Sequence, residues 1–368
     1  MRRRRRAREK MVPGGHRPRR RPMPAPTTPT REFVTGLPKA ELHLHLEGTL
    51  EPDLKLRLAQ RNGIDIGQST VEEVRATYAF DSLTSFLAVY YPAMEVLQTA
   101  DDFYELADAY LARAAADGVK HAEMFFDPQA HTSRGVPFEA VVTGYHRAAA
   151  EAPSKHGIDA HLILCFLRDH SAQSAAETLE ASVPFRDKIL GVGLDSDERD
   201  NPPQKFADVF ARARELGYRL TMHCDIDQVG SIDNIRTVLD EIGVDRVDHG
   251  TNVVEDPALV DVVRERGLGL TTCPISNSFV TDDMKATEIA GLLRSGVRVT
   301  VNSDDPAYFG GYVAENYVAL AEAAGLTTQE VVQLARNSFE ASWLGDSQRA
   351  AYLAEIDRYV AAFDATAV

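Results

Sequence analysis

Histidines and aspartates stand at the ends of several apolar runs, where their spacing could assemble a metal site. In ELHLHLEG, His43 and His45 lie two residues apart, so on a strand both imidazoles would face the same side. Further candidate ligands end later apolar runs: His223, His249, Asp304 and Asp305. Imidazoles together with a carboxylate suit a borderline divalent metal, zinc above all, with a water molecule completing the shell.

Bringing these residues together requires elements that end at one common edge. Eight runs rich in aliphatic and β-branched residues recur along the chain, and segments with helical periodicity lie between them. We predict strands at residues 40–46, 119–126, 160–167, 189–194, 219–223, 246–249, 268–272 and 297–302. Apolar strands that alternate with helices indicate a parallel sheet, and the count of eight favours the (β/α)8 TIM barrel of the α/β class. In that barrel the carboxyl ends of all strands open onto one rim, where catalytic groups gather.

Two stretches exceed what a bare barrel needs. Residues 49–118, between the first and second strands, carry helical patterns, which we interpret as an insertion over the barrel mouth and a candidate lid. After the eighth strand, further helical patterns within residues 314–363 are expected to cover the outside or the bottom of the barrel. The folded part is therefore predicted to be one domain, residues 33–368, to which both additions belong.

The net charge of −15 combines two unlike regions. Residues 1–30 hold ten Arg and one Lys against one Glu, so the rest of the chain carries a net charge of −25. A body that acidic repels a phosphate backbone, so we expect no nucleic acid partner for the folded part. Residues 1–32 lack an apolar face and are predicted to be a disordered basic tail. The tail is a solvated arm, a polyanion-binding arm, or the product of a start assigned too early, with Met11 or Met23 the true start.

Other protein classes are disfavoured by what the sequence lacks. No run approaches the ~18 apolar residues that a membrane-spanning helix needs, and no apolar core follows the basic start as in a secretory signal. The cysteines Cys165, Cys224 and Cys273 lie far apart and form no C-x-x-C pair, which argues against a disulfide framework and a cysteine-rich zinc module. We therefore predict a cytoplasmic protein without a membrane partner, and the sequence does not indicate an oligomeric state.

Several motifs resemble the adenosine/adenine deaminase family of metal-dependent hydrolases, which are (β/α)8 barrels: LPKAELHLHLEGTLEP, the MHCD at His223, VDHGTN, TCPISNS and TVNSDDPAYFGG. The resemblance covers roughly residues 35–345, and FFDPQAHTSRG and VGLDSDE look closest to the microbial adenine deaminase branch. It implies one zinc ion per chain, held by His43, His45, His223 and Asp304. It further implies that His249 orients the attacking water, that Asp305 contacts purine N7 and that the Gly193 backbone contacts N3.

The chain departs from the family at the residue that should supply a proton to purine N1. The family carries a Glu three residues after the fifth-strand His, and Ile226 occupies that position here. A missing general acid can lower the rate by on the order of 10²–10⁴. Asp225 or Asp227 could replace it through an altered loop, with Asp225 preferred, or both are solvated loop carboxylates. The remaining alternatives are a different substrate and the loss of deamination.

A milder departure is Glu47, which stands where adenosine deaminases commonly carry an Asp that meets the ribose. A longer acid would narrow the space for the sugar, so Glu47 is a candidate substrate-binding residue that favours a free base. A surface carboxylate, or one supporting the site from behind, would look the same from sequence.

These observations predict a zinc-dependent hydrolase that deaminates a 6-aminopurine, most simply adenine to hypoxanthine and ammonia in purine salvage. The partner would be a small purine. Adenosine or an N6-substituted adenine is the alternative substrate. From another class, a non-catalytic zinc-containing purine-binding protein is the alternative, because Ile226 replaces the usual acid.

Overall fold

Parallel strands form one sheet that curls into a barrel in the computed structural model, which describes residues 28–224, 229–281 and 283–366. Within these ranges the strands number eight: β1 (Lys39–Glu41), β2 (Val119–Phe126), β3 (Asp159–Leu167), β4 (Ile189–Asp195), β5 (Arg219–Cys224), β6 (Arg246–His249), β7 (Gly269–Thr272) and β8 (Arg298–Val301). Each strand pairs in parallel with the next one along the chain. The predicted (β/α)8 TIM barrel is confirmed.

Helices surround the sheet, and short tighter turns join several of them to strands. The α-helices are α1 (Arg31–Gly36), α2 (Pro52–Asn62), α3 (Val71–Ala76), α4 (Leu83–Ala93), α5 (Ala100–Ala116), α6 (Pro128–Thr132), α7 (Phe138–Lys155), α8 (Ala172–Ser182), α9 (Ala207–Glu215), α10 (Ser231–Arg236), α11 (Pro257–Arg266), α12 (Pro274–Val280), α13 (Ala286–Arg294), α14 (Pro306–Phe309), α15 (Val313–Ala324), α16 (Thr328–Glu340) and α17 (Asp346–Thr366). The tighter segments are Glu47–Thr49, Met94–Val96, Val183–Lys188, Pro203–Phe206 and Thr251–Glu255, while Thr237–Ile242 is a wider π-helical segment that directly follows α10.

The predicted tail falls mostly on residues 1–27, which lie outside the described residues. Helix α1 begins at Arg31, two residues before the boundary drawn between residues 32 and 33. Thr30 caps this helix, because its side chain accepts a hydrogen bond from the Phe33 backbone N–H at 3.1 Å.

The barrel closes where the chain after β1 meets the chain after β8. The His45 backbone N–H donates to the Asp304 carbonyl at 2.9 Å, and the Asp304 N–H donates to the His43 carbonyl at 3.1 Å. Nearer to β1 and β8, the Leu42 N–H donates to the Asn302 side-chain oxygen at 2.9 Å. A side chain thus takes the place of a backbone partner and interrupts the ladder.

This interruption shortens the first strand relative to the prediction. We expected residues 40–46, but β1 ends at Glu41, and beyond it only Leu44 and His45 make single parallel bridges, to Asp304 and Phe125. The bridges keep the segment at the barrel wall, so His43 and His45 still reach the rim.

The predicted insertion forms α2 to α5, between β1 and β2. Capping explains why its helices begin where they do. Before α5, for example, the Thr99 hydroxyl accepts from the Asp102 N–H while the Asp102 carboxylate accepts from the Thr99 N–H. The insertion packs against the barrel through buried apolar residues such as Phe103 and Leu106.

The C-terminal part covers the barrel at the amino ends of its strands. Trp343, which follows α16, donates its backbone N–H to Glu123 of β2 at 2.7 Å. Arg246 of β6 lies over the Trp343 ring at 4.3 Å. A Cβ at Gly191 would stand 2.7 Å from the same ring, so only glycine leaves room for the indole. Within the described part of the chain, no helix combines the length and the apolar character needed to span a bilayer.

The buried ion pair of Glu123 and Arg246 yields a stability prediction. Burial alone would raise the pKa of Glu123, but Arg246 and His121 lower it to about 2. Both partners of the pair are fully buried, and removing one buried partner costs about 3–5 kcal/mol. Glu123→Gln should therefore lower the free energy of unfolding in urea by about 3 kcal/mol at pH 7.

The matched control is Arg212→Ala, which breaks the exposed pairs with Glu180 and Glu215 and should leave the free energy of unfolding nearly unchanged. Because the Glu123 pKa is lowered in the folded state, its contribution is complete above its ordinary value and is lost as the pH falls toward 2. Equal effects of the two substitutions at pH 7 would contradict the prediction.

Candidate active site

Three imidazoles and a carboxylate converge at the carboxyl ends of the strands. One ligand atom each from His43, His223, His249 and Asp304 lies within 4.8 Å of the others, and all four residues are buried. His223 comes from the end of β5 and His249 from the end of β6, while the other two come from the closure between the segments after β1 and β8. Residues far apart in the sequence are thus brought to one point by the barrel.

His45 joins this cluster from the side. Its Nε2 lies 3.2 Å from Nε2 of His223 and 3.5 Å from Oδ1 of Asp304. The predicted ligand set contains His45 and the group named above contains His249 instead, so the choice between these two residues stays a prediction.

The hydrogen bonds of His43 select the tautomer that a metal ligand needs. Its Nδ1 lies 2.9 Å from the Thr271 hydroxyl oxygen and 3.1 Å from the Thr271 carbonyl. The hydroxyl itself donates to Asp248 at 2.9 Å, so its oxygen accepts from the His43 Nδ1–H. The His43 Nε2 lone pair is then free, buried and 3.3 Å from Asp304 Oδ1. A partnerless ring nitrogen facing a carboxylate fits a bound divalent cation.

The pKa shifts of the residues in the cluster also fit a bound divalent cation. Burial lowers the pKa of His249 to about 3 and places the pKa of His223 well below its ordinary value. Both imidazoles are therefore neutral at pH 7, which is the form that binds metals. Burial alone would raise the pKa of Asp304, but the surrounding imidazoles hold it below its ordinary value.

The backbone at two of these residues is in an uncommon conformation. His249 has a φ of 59° and Asp304 a φ of 63°, in the left-handed region that residues other than glycine seldom adopt. Such strain persists only where surrounding contacts enforce it. For Asp304 these contacts include the closure bonds and the Ser276 hydroxyl, which donates to Oδ2 at 2.5 Å.

The cluster lies at the floor of a cavity with an apolar wall. Helix α4 of the insertion contributes the apolar and aromatic part of that wall, together with residues after β7 and β8: Leu83, Phe86, Leu87, Tyr90, Tyr91, Val280 and Phe309. The polar part of the lining includes His45, His223, His249, Asp304 and Asp305. The insertion therefore does cover the barrel mouth.

Asp305 faces the cavity, as a substrate contact requires. It is buried, its Oδ1 has no hydrogen-bond partner among the described residues, and burial raises its pKa well above the ordinary value. Gly48 packs directly against it, because a Cβ at that position would stand 2.0 Å from Oδ1. The size of residue 48 thus sets the position of this carboxyl group.

Two other predicted binding residues are not among those that line the cavity. Glu47 lies in a tight turn and accepts hydrogen bonds from His131 at 2.9 Å and Tyr145 at 3.0 Å. Gly193 lies deeper in the barrel, where a Cβ would stand 2.6 Å from Cys165 Sγ. The substrate contacts predicted for Glu47 and for the Gly193 backbone stay predictions.

The candidate general acids cannot be placed. Asp225 and Asp227, like Ile226 between them, lie outside the described residues. Their proposed role stays a prediction from the sequence.

The sequence reasoning missed two acids that line the cavity, Asp127 and Asp195. Burial raises the pKa of Asp195 to about 7 and that of Asp127 well above its ordinary value. Asp127 follows β2 directly and Asp195 is the last residue of β4. The strand-end position that singled out His223 and His249 would also have identified these acids.

Comparisons with known proteins agree with this site. The family model described as adenosine deaminase matches residues 38–359. The adenine deaminase of Sphingopyxis alaskensis is 50% identical over 329 residues, which cover 89% of this chain and 96% of that protein. The crystal structure of an adenine deaminase from Arthrobacter aurescens superposes with a TM-score of 0.85 at 43% identity, covering 88% of this chain and 99% of that one.

A second solved structure, an amidohydrolase from Burkholderia ambifaria, contains bound Zn. It superposes with a TM-score of 0.81 at 30% identity, covering 91% of this chain and 94% of that one. A metal-binding relative of the same fold matches the chemistry of the donor set described above.

The cluster predicts metal binding that depends on His43. Substituting a ligand should weaken zinc binding by more than the about 10–100-fold that loss of an outer partner costs. We expect purified protein to bind zinc and His43→Ala to lose it, as measured by metal analysis after dialysis against a weak chelator.

His156→Ala is the control, since His156 is paired with Asp108 away from the cluster and its loss should leave the metal content unchanged. Zinc retention by His43→Ala equal to that of the control would refute the site.

Proposed function

The chain belongs to the adenosine deaminase family, and from that membership we propose that it hydrolyses the amino group of adenine, releasing hypoxanthine and ammonia. It is a hydrolase of the deaminase type, in a family that is metal-dependent. The observation that carries the proposal is the cluster of His43, His223, His249 and Asp304 on the floor of an apolar-walled cavity.

The neutral imidazoles and the carboxylate fit a zinc ion, which we propose to be one per chain. His43, His45, His223 and Asp304 would hold it. When bound, zinc supplies Lewis acidity that makes water a nucleophile at neutral pH.

The protein side chains would position the purine and move protons. His249, a neutral imidazole, and Asp304 would accept and return the proton of the attacking water, whose oxygen adds to C6. Asp225 or Asp227 would donate a proton to N1, and Asp305 would form a hydrogen bond at N7. The proton held by His249 or Asp304 is returned to the amino nitrogen, the bond from C6 to that nitrogen breaks, and ammonia leaves. The C6 hydroxyl gives its remaining proton back to the loop aspartate, so the carbonyl of hypoxanthine forms and N1 keeps its proton.

Adenine is favoured over other amines because relatives about half identical over most of the chain carry the name adenine deaminase. Glu47 does not line the cavity, so this preference for adenine does not rest on that residue. The non-catalytic alternative gains no support from the comparisons. In a cell the reaction would serve purine salvage, and we propose that it takes place in the cytoplasm.

The first prediction concerns the reaction and its acid. Zinc-loaded protein should release ammonia from adenine faster than from adenosine or N6-methyladenine. Of Asp225→Ala and Asp227→Ala, the variant that removes the acid at N1 should lower kcat by about 10²–10⁴-fold.

The control for this assay is Asp233→Ala, because Asp233 is an exposed acid near the same loop. Ammonia from none of the three substrates would refute the function. Full activity of both loop variants would refute the assigned acids and leave the function standing.

A second prediction uses Gly48. The Cβ of Gly48→Ala would collide with Asp305, so the carboxyl group must move, and a misplacement of about 1 Å can lower the rate by about 10²-fold. We expect kcat/KM for adenine to fall by about that factor while the zinc content stays unchanged.

Gly291→Ala is the matched control, because a Cβ there meets nothing within 4 Å and its backbone is helical. Wild-type activity of Gly48→Ala would show that Asp305 does not contact the substrate.

A further inference from the structure

A fully buried carboxylate lies beside the metal cluster without reaching the cavity. Asp248, on β6, is 0% exposed and is not among the residues that line the cavity. Its partners in the strand register are His223 on β5 and Thr271 on β7. Oδ2 accepts from the Thr221 hydroxyl at 2.7 Å, and Oδ1 accepts from the Thr271 hydroxyl at 2.9 Å. Hydroxyl groups from both neighbouring strands thus fix the orientation of this carboxylate.

The ring of His223 lies between the cluster and Asp248. Its Nε2 faces Nε2 of His45 at 3.2 Å, and each of these nitrogens can bind a metal ion only through its lone pair. The hydrogen of the neutral His223 ring is then on Nδ1, which is buried and has no hydrogen-bond partner among the described residues. Asp248 Oδ2 lies 3.7 Å from this Nδ1, about 0.5 Å beyond the range of an N–H···O hydrogen bond. A small shift of the ring therefore brings that hydrogen to an acceptor.

His43 is connected to the same carboxylate but does not depend on it. The Thr271 hydroxyl donates to Asp248, and its oxygen lies 2.9 Å from His43 Nδ1. The Thr271 carbonyl also lies 3.1 Å from that Nδ1, and a carbonyl can only accept. The carbonyl alone keeps the hydrogen of His43 on Nδ1. Loss of Asp248 would leave His43 with an acceptor, whereas His223 would have none among the described residues.

We propose that Asp248 is a positioning residue for the metal ligand His223. Oδ2 of Asp248 accepts the Nδ1–H of His223 and so keeps the Nε2 lone pair directed at the metal. A histidine that binds a metal ordinarily donates its other ring N–H to such an acceptor, and loss of the acceptor weakens metal binding by about 10–100-fold. This inference rests on the proposed function, because it takes His223 as a ligand of the proposed zinc ion.

The test measures the zinc affinity of the full chain by competition with a chelator of known affinity. Asp248→Ala should weaken zinc binding by about 10–100-fold. Asp248→Asn keeps the size of the side chain and one acceptor oxygen, so its loss of affinity should be nearer to about 10-fold. If Asp248→Ala does not fold, Asp248→Asn carries the test. Wild-type zinc affinity in the variant that carries the test would overturn the proposal.

Cobalt separates positioning from a general loss of stability. The visible absorption of bound Co²⁺ depends on the geometry of its ligands, so its bands should shift in the Asp248 variants. Asp102→Ala is the matched control, because Asp102 is equally buried and caps α5 in the insertion. Its zinc affinity and cobalt spectrum should equal those of the wild type. A loss of zinc affinity in Asp102→Ala as large as that in Asp248→Ala would overturn the positioning role.

Thr271→Val distinguishes the two histidines. It removes the hydroxyl that links Asp248 to His43 but keeps the carbonyl that accepts from His43. We expect its zinc affinity to fall by less than that of Asp248→Ala. An equal fall would show that Asp248 acts through His43 and would overturn the assignment to His223.

The zinc measurements also separate this proposal from the proposed function. If wild type binds zinc but releases no ammonia, and the Asp248 variants bind zinc more weakly, the positioning role stands and the proposed reaction fails. If wild type deaminates adenine and the Asp248 variants bind zinc as tightly as it does, the reaction stands and the positioning role fails. A wild type that binds no zinc would overturn both.

Discussion

The same residues close the barrel and form the candidate metal site in this protein. The backbone hydrogen bonds that join His43 and His45 to Asp304 complete the wall between the segments after β1 and β8. The side chains of the same residues enter the cluster at the rim. Glu41 supports the closure from below, because it accepts from the Ser303 backbone at 3.1 Å and from the Tyr110 hydroxyl at 2.7 Å. A substitution that breaks the contact between the segments after β1 and β8 would therefore disturb both the fold and the site.

The site concentrates carboxyl groups in a buried place. Asp127, Asp195, Asp304 and Asp305 all line one cavity, while burial keeps His223 and His249 neutral. Burying carboxylates without compensation is unfavourable, and a divalent cation among neutral imidazoles is the compensation that the donor set fits best. Buried carboxyl groups beside neutral imidazoles are thus the feature of this chain that corresponds to the metal dependence of the family.

The end of the barrel at the amino ends of the strands carries contacts that stabilise the fold, whereas the rim at their carboxyl ends holds residues in strained backbone conformations. At the amino ends, Glu123, Arg246 and Trp343 form a closed arrangement of ion pair, backbone hydrogen bond and stacked ring. Apolar residues from the strands and from the surrounding helices form the continuous core. Stability is thus supplied at the amino ends of the strands, which leaves the carboxyl ends free to hold unpaired polar groups.

The sequence by itself determined the eight-strand pattern, the barrel class and the identity of the residues that converge on the cluster. These follow from local signals, namely apolar runs, helical periodicity and polar residues at the ends of runs. Only the tertiary structure decided which neighbouring residues face the cavity. Gly193 and Asp195 lie two apart on β4, yet Asp195 lines the cavity and Gly193 lies deeper, at Cys165.

The reason is that depth in a barrel depends on the pairing register of neighbouring strands. That register shifts between Leu162 and Ile163, where β3 pairs with β4, and no local pattern encodes the shift. In the same way, the tight turn at Glu47 and the side chain of Asn302 redirected the chain after β1 through contacts that exist only once distant segments have met.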